Sequence, residues 1–303
     1  MASLQVNIAG IRLKNPIILA SGTCGYGREL ARVYDLSRLG GIAVKGTTLL
    51  PRGGNVPPRI AETASGMLNS VGLQNPGVKA VIENELPFLA AYDTSVIVNI
   101  AGHSPDDYRQ VTELLDAAGN FAAFELNISC PNVAGGGMAF GTDAAVAAEI
   151  TALVRAATAK PLIVKLSPNV TDIAEIAKAV EAAGADAISL INTLQGLAID
   201  IEQRKPILGA VTGGLSGPAI KPIALRMVWQ VKKAVAIPLI GLGGIATSTD
   251  ALEFMLAGAS AVQIGAAAFR DPLLPLKVAE GMAEWLDAHG VADVNELVGE
   301  LRT

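Results

Sequence analysis

The segment of residues 127–132, Asn-Ile-Ser-Cys-Pro-Asn, places a cysteine directly after a predicted strand. A cysteine is commonly a small buried apolar residue, but Pro131 and the glycines of residues 135–137 follow Cys130 and predict a lid over a site. A thiolate at such a place can act as a nucleophile or a general base. No histidine lies near Cys130 in the sequence to activate it. Cys24 lies in an ordinary loop, and we interpret it as structural.

Two lysines, Lys45 and Lys165, also follow apolar runs of the sequence. Each comes directly after a valine, Val44 or Val164, where a solvated ammonium is difficult to accommodate. An ammonium can stabilise the negative charge that a flavin gains on reduction, and it can bind a substrate carboxylate as a point charge. We therefore predict that both lysines project into a ligand cavity.

A repeat of short β-branched runs and amphipathic stretches must position these side chains. Amphipathic stretches at residues 106–118, 143–157, 172–183 and 250–257 open with Asp, which suits a helix N-cap. Eight β-then-α units predict an α/β fold, a TIM (β/α)8 barrel, in preference to a doubly wound sheet. We expect one domain over residues 1–303. The eight strands are predicted as runs buried on both faces, at residues 17–20, 41–45, 95–100, 124–129, 162–166, 187–191, 238–242 and 261–264.

In a TIM barrel the site lies at the carboxyl ends of the strands. Polar residues gather there in this sequence, and a polar side chain within an apolar strand is costly unless it is paired. The long insertions of residues 47–78 and 193–219 follow strand ends, so we expect them on the same face. Gly243-Gly244 and Gly265-Ala266 end the last two strands. Backbone N–H groups exposed there predict a phosphate site, although ordinary left-handed turns also use glycine.

Composition excludes several classes of partner and site. The net charge is −5, without the basic surplus that a nucleic-acid-binding surface usually has, so we expect no nucleic-acid partner. Two cysteines and two histidines make a zinc site or an iron–sulfur cluster in this chain unexpected, so we predict no metal site. The N-terminus lacks the pattern of a signal peptide, and no run reaches the roughly 20 apolar residues of a membrane helix. We predict a soluble cytoplasmic protein without a membrane partner.

The chain resembles the class 1 dihydroorotate dehydrogenases along essentially its whole length, and five segments together carry this resemblance. The cysteine in the fourth position of the Asn-Ile-Ser-Cys-Pro-Asn segment marks class 1, since membrane-bound class 2 enzymes have serine there. Residues 24–29 are more similar to the NAD-linked B type than to the fumarate-linked A type. The segments are Lys14-Asn15-Pro16-Ile17-Ile18-Leu19-Ala20-Ser21-Gly22, Asn69-Ser70-Val71-Gly72-Leu73-Gln74-Asn75-Pro76-Gly77, Asn127-Ile128-Ser129-Cys130-Pro131-Asn132, Val164-Lys165-Leu166-Ser167-Pro168 and Gly213-Gly214-Leu215-Ser216-Gly217.

The resemblance implies a role for each of these residues. Cys130 would be the base that removes the C5 proton of dihydroorotate while hydride passes from C6 to N5 of FMN. The family often has Thr or Ser where this chain has Ala266, which removes one hydroxyl contact to the phosphate. The implied substrate-binding residues, many of them amides that match the C=O and N–H groups of a pyrimidine, are Lys45, Asn69, Ser70, Val71, Gly72, Leu73, Asn127, Asn192 and Thr193. The implied FMN-binding residues are Ser21, Lys45, Gly46, Asn99, Asn127, Lys165, Ile191, Gly217, Gly243, Gly244, Gly265 and Ala266.

The resemblance also implies a route for the electrons. The chain has no dinucleotide fingerprint and too few cysteines for a cluster of its own. A B-type enzyme would therefore need a partner subunit that carries FAD and a [2Fe–2S] cluster and passes electrons to NAD⁺, around a homodimer core that completes a heterotetramer. The A-type alternative is a homodimer that reduces fumarate unaided.

Three further alternatives remain open from the sequence. A tRNA-dihydrouridine synthase would need a tRNA-binding surface, which the negative net charge of the chain disfavours. A phosphate-binding isomerase or lyase barrel would not need the Cys130 segment. A barrel without activity that serves as a scaffold is disfavoured by the intact set of Lys45, Cys130 and Lys165.

Overall fold

The computed structural model describes residues 2–129 and 140–302 of the chain. The predicted base, Cys130, and the predicted glycine-rich lid after it lie outside the described residues. Every other residue of the predicted site falls within them.

Eight parallel strands close into a barrel in which each strand pairs with the next one along the chain and the last pairs with the first. All eight predicted strands are confirmed, with ends that differ from the prediction by two residues at most. Two short strands, β1 (Val6–Ile8) and β2 (Ile11–Leu13), precede the barrel as an antiparallel hairpin. The barrel strands are β3 (Ile17–Leu19), β4 (Gly41–Ala43), β7 (Ser95–Ile100), β8 (Ala123–Asn127), β9 (Leu162–Lys165), β10 (Ala187–Leu190), β15 (Leu239–Leu242) and β16 (Ala261–Ile264).

Helices connect the strands, and their first residues follow local capping chemistry. Asp143 and Asp172 accept hydrogen bonds from the first free N–H groups of their helices, as the sequence predicts. The predictions for the stretches at 106–118 and 250–257 were wrong at their starts, because the N-caps are Ser104 and Thr247, and Asp250 is the third residue of a capping box. The helices are α1 (Val78–Ala80), α2 (Leu86–Leu89), α3 (Pro105–Ala118), α4 (Ala144–Ala157), α5 (Ile173–Ala182), α6 (Lys221–Lys232), α7 (Ser248–Ala257) and α8 (Leu274–His289), with a π-helical turn at Val81–Glu85 between α1 and α2.

The two long insertions form one antiparallel sheet over the carboxyl ends of the barrel strands. Strands β5 (Ile60–Thr63) and β6 (Gly66–Asn69) come from the first insertion. Strands β11 (Leu194–Leu197) and β14 (Thr212–Ser216) come from the second, and the order in the sheet is β11-β14-β6-β5. The second insertion also contains a short hairpin of β12 (Ile199–Asp200) and β13 (Lys205–Pro206). The sequence placed both insertions on this face but did not predict that they pair with each other.

The barrel interior is apolar except for one group of polar side chains. Asn99, Glu125, Lys165, Ser189 and Gln263 are buried among the Val, Ile and Leu residues of the core. Buried polar groups are costly unless they are paired, so this group marks the part of the barrel where function overrides packing. Among the described residues, no helix is both long enough and apolar enough to cross a membrane.

Candidate active site

A cavity of about 570 Å³ lies between the carboxyl ends of the barrel strands and the insertion sheet. Its size is that of a typical cofactor or small-molecule site. All the described residues of the predicted site line this one cavity, although they come from eight strands and both insertions. They are Ser21, Lys45, Gly46, Asn69, Ser70, Val71, Gly72, Leu73, Asn99, Asn127, Lys165, Ile191, Asn192, Thr193, Gly217, Gly243, Gly244, Gly265 and Ala266.

Two lysines line the floor of the cavity, Lys165 buried and Lys45 partly buried. The Lys165 ammonium donates a hydrogen bond to Ser21 Oγ (3.3 Å) and lies 3.8 Å from Glu125 Oε2. Burial lowers the pKa of Lys45, and the nearby Lys165 charge lowers it further. Among the described residues that line the cavity, Lys45, Lys165 and Arg52 are cationic and none is acidic. The cavity is therefore suited to anionic groups such as a phosphate or a carboxylate.

The carboxylate of Glu125 lies beneath the cavity at the centre of the barrel and is fully buried. Oε1 accepts hydrogen bonds from Ser189 Oγ (2.9 Å) and Gln263 Nε2 (2.7 Å), and Oε2 accepts one from Asn99 Nδ2 (2.6 Å). Burial alone would raise the pKa of Glu125, but the Lys165 charge and these hydrogen bonds outweigh it, so the pKa is lowered. Glu125 is consequently an anion at neutral pH.

Two amide oxygens in the cavity have no hydrogen-bond partner among the described residues. Asn99 Oδ1 and Gln263 Oε1 are buried, and both residues line the cavity. A buried acceptor without a partner usually indicates a missing ligand or water. An oxidised flavin ring carries one N–H donor, on its pyrimidine edge, and one of these oxygens could accept a hydrogen bond from it.

Glycines form the other end of the cavity. Gly243, Gly244 and Gly217 have positive φ values of 126°, 80° and 102°, which side chains other than glycine rarely adopt. A Cβ at Gly244 would lie 2.8 Å from the Cβ of Lys221. The N–H groups of Gly243, Gly244 and Gly265 donate to no other backbone group within residues 2–129 and 140–302. The arrangement fits a phosphate held by backbone donors, and Ala266 adds only a methyl group.

Amide side chains line the part of the cavity near the insertion sheet. Asn127 Oδ1 accepts a hydrogen bond from the backbone N–H of Ser129 (3.1 Å) and lies 3.5 Å from Asn192 Nδ2. Asn69 Nδ2 donates to the carbonyl of Gly214 (3.2 Å) and so links the insertions at the cavity wall. The buried Tyr108 hydroxyl donates to the carbonyl of Asn127 (2.8 Å) and holds the end of β8 in place. These neighbouring amides could bind a ring with alternating donors and acceptors.

Sequence reasoning missed several residues of the site. Gln263 and Glu125 were detectable, because each is a polar residue in the middle of an apolar strand. Arg52, Asn55 and Asn169 lie in loops whose sequence gives no comparable signal. His103 also lines the cavity, although it is distant from the Cys130 segment in the sequence.

Cys24 lies outside the cavity and is buried beside the ends of β3 and β4. Its thiol lies within hydrogen-bond distance of the carbonyls of Ala20 (3.4 Å) and Ala43 (3.3 Å). Burial raises the pKa of the thiol to about 12, so Cys24 remains protonated and unreactive at neutral pH. Among the residues that the structure describes, no three His, Cys, Asp or Glu side chains group as metal ligands.

The closed (β/α)8 barrel, with a cationic, glycine-bounded cavity at the carboxyl ends of its strands, has the architecture of the TIM-barrel enzymes. The family model for dihydroorotate dehydrogenase matches residues 3–286, and the chain belongs to the dihydroorotate dehydrogenase family. This confirms the family that the sequence segments predicted.

Curated relatives match nearly the whole chain. A protein of Trichlorobacter lovleyi is 56% identical over 299 residues, covering 99% of this chain and 98% of its own length. A protein of Bacteroides thetaiotaomicron is 58% identical over 301 residues, covering 99% of both chains. Both are named dihydroorotate dehydrogenase B (NAD(+)), catalytic subunit.

A solved structure supports the fold. The crystal structure of dihydroorotate dehydrogenase from Eimeria tenella in complex with ferulenol superposes with a TM-score of 0.82 at 23% identity. The match covers 98% of this chain and 88% of the other. The TIM barrel predicted from the sequence is confirmed.

Proposed function

We propose that this protein oxidises dihydroorotate to orotate in pyrimidine synthesis, with one FMN bound in the cavity at the carboxyl face of the barrel. The observation that carries the proposal is the floor of the cavity, where Lys45, Lys165 and the unpartnered oxygens of Asn99 and Gln263 face the same space. Membership of the dihydroorotate dehydrogenase family supports the reaction. When bound, FMN would accept hydride from the substrate.

The chain's own residues would hold the two ends of FMN differently. Gly217, Gly243, Gly244 and Gly265 would bind the phosphate through backbone N–H groups, which need no charged side chain. Asn99, Gln263 and Lys165 would contact the ring. The positive charge at this end favours a ring that becomes more negative on reduction.

The substrate would occupy the space between the ring and the insertion sheet. Asn69, Asn127 and Asn192 offer amide donors and acceptors there, and Lys45 offers a cation for the substrate carboxylate. Cys130 would remove the C5 proton as general base. Ser129, the residue before Cys130 in the sequence, lines the cavity, which supports this role for Cys130.

We expect the purified chain to be yellow and to carry FMN without a covalent bond. Acid precipitation should release the flavin into the supernatant, because only backbone donors and side-chain contacts would hold it. The released flavin is identified by chromatography against FMN, FAD and riboflavin. A correctly folded chain that is colourless and that FMN does not reconstitute would overturn the proposed function.

We also propose that the electrons leave through a partner subunit. The relatives are named as catalytic subunits of an NAD(+)-linked enzyme, and this chain has two cysteines, too few for an iron–sulfur cluster. The partner would carry FAD and a [2Fe–2S] cluster, and two copies of each subunit would form a heterotetramer around a homodimer of this chain.

An acceptor assay tests this second proposal. With dihydroorotate, the chain alone should reduce artificial dyes but not NAD⁺. Addition of the flavin and iron–sulfur subunit from the same genome should restore NAD⁺ reduction and shift the complex to the size of a heterotetramer. Efficient fumarate reduction by the chain alone would instead indicate the A type and would leave the FMN proposal intact.

A further inference from the structure

Glu125 is the buried charge whose purpose the proposed reaction leaves unexplained. It does not line the cavity, and its side chain is fully enclosed in the barrel. A buried carboxylate is costly even when it is paired, and an apolar residue of similar volume is often as stable at such a site. Stability therefore does not explain why a carboxylate lies here. The contacts of Glu125 point instead to a role in the cavity above it.

The contacts of Glu125 decide which amide atoms face the cavity. A carboxylate only accepts hydrogen bonds, so Asn99 and Gln263 must turn their NH₂ groups toward it. Their carbonyl oxygens then face away from Glu125, and these are the two buried oxygens without a partner. With a neutral amide in place of Glu125, one of the two side chains could rotate and present a donor to the cavity instead.

Glu125 also sets the charge beneath the cavity. The Lys165 ammonium lies 3.8 Å from Glu125, the protonated thiol of Cys24 lies farther away, and Lys45 lies near Lys165. Two ammonium groups and one carboxylate leave a single net positive charge at the floor. Without Glu125 the floor would carry two positive charges, and a ligand that gains negative charge would be stabilised more strongly.

We propose that Glu125 is a positioning residue that fixes Asn99 and Gln263 as hydrogen-bond acceptors for the flavin and, through its charge, holds down the reduction potential of bound FMN. The inference rests on the proposed function, since it requires FMN in the cavity. Glu125 acts through its neighbours and touches neither cofactor nor substrate. Its negative charge would limit the stabilisation of reduced FMN, so that reduced FMN could still pass its electrons on.

The test compares Glu125→Gln with wild type in two measurements, the midpoint potential of bound FMN and the dissociation constant of oxidised FMN from the reconstituted apoprotein. In Glu125→Gln we expect oxidised FMN to bind about tenfold more weakly, as the loss of one hydrogen bond predicts. We expect reduced FMN to keep its affinity, because the stronger positive charge beneath it offsets the lost hydrogen bond, so that the preference for the reduced form rises about tenfold, or about 30 mV for a two-electron couple.

Two further variants separate charge from position. Glu125→Asp keeps the charge but cannot reach both amides, so FMN should bind more weakly at an unchanged potential. Asp186→Asn is the matched control, because Asp186 is a partly exposed carboxylate paired with Arg155 just before β10, away from the cavity. It should leave both measurements unchanged.

An unchanged potential in folded Glu125→Gln overturns the proposal, whatever its melting temperature, because a merely structural role would alter stability alone. If Glu125→Gln does not fold, Glu125→Asp decides, and wild-type FMN affinity in that variant overturns the proposal. A wild-type chain that binds no FMN would instead refute the proposed function, so the two failures are distinguishable.

Discussion

Cys130→Ala should retain FMN and reduce the rate of flavin reduction by dihydroorotate by about 10²–10⁴-fold, the usual contribution of general-base catalysis. The half-reaction is measured by stopped flow under anaerobic conditions, from the loss of flavin absorbance after mixing with dihydroorotate. FMN should remain bound because none of the glycines, lysines or amides proposed to hold it is altered.

The rate in the wild-type chain should depend on pH with a definite sign. The thiolate is the active form of a cysteine base, and a free thiol has a pKa of about 8.5. Flavin reduction should therefore accelerate as the pH rises through the thiol pKa and level off above it. The slow residual reaction of Cys130→Ala should lack this step.

Cys24→Ala is the matched control for this prediction. Its thiol is buried beside the barrel strands, and burial raises its pKa to about 12, so it supplies no thiolate at neutral pH. The variant should reduce its flavin at the wild-type rate. Near-wild-type reduction in Cys130→Ala, or labelling of Cys130 that leaves activity intact, would exclude Cys130 as the base.

Lys165→Met should destabilise the protein by about 3–5 kcal/mol, the usual cost of removing one partner of a buried ion pair. The Glu125 carboxylate would remain buried without a counter-charge, and Ser21 would lose its contact with the ammonium. Because Lys165 is also proposed to contact the flavin ring, FMN affinity should fall as well. Urea unfolding of the apoprotein measures the free energy of unfolding separately from cofactor binding.

The loss of stability should depend on pH. In the wild-type chain the pKa of Glu125 is lowered from its ordinary value of 4.5, so this group stabilises the fold above that pH and less as the pH falls below it. In Lys165→Met burial should raise the pKa of Glu125, and its protonation then relieves the unpaired charge. The difference between the two chains should be largest at neutral pH and should shrink on acidification.

Two comparisons identify the cause of the destabilisation. Lys14→Met removes a surface lysine that pairs with Asp93, whose side chain is 92% exposed, and should cost less than about 1 kcal/mol. Lys165→Met combined with Glu125→Gln removes both charges and should recover part of the lost stability. Equal costs for Lys14→Met and Lys165→Met would contradict the buried ion pair.

The strands were predictable because a parallel barrel buries both of their faces. Strand β7, for example, is continuously apolar from Val96 to Val98 before Asn99 and Ile100, and no alternating strand would have that pattern. The first connection was less predictable. Between β3 and β4 the chain forms only the short 3-10 turns Leu30–Arg32 and Leu36–Arg38 in place of an α-helix.

The insertion sheet was not predictable from local pattern. Asn69 and Gly214 pair although they lie 145 residues apart in the sequence. Nothing in the local sequence around either residue predicts this pairing. A side chain at Gly214 would collide with Thr193, so the glycine is required by a neighbour that only the folded chain supplies. Both insertions were nevertheless placed on the correct face, because each follows a strand end.

The sequence by itself determined the family, the barrel and the side chains that gather at its carboxyl face, because the order of strand ends along the chain is also their order around a closed barrel. Only the tertiary structure decided that Glu125 meets Asn99, Ser189 and Gln263, because each of these four residues lies on a different strand. The depth at which these residues meet depends on the tilt and stagger of the closed strands. That meeting fixes which amide atoms face the cavity and how much charge lies beneath it.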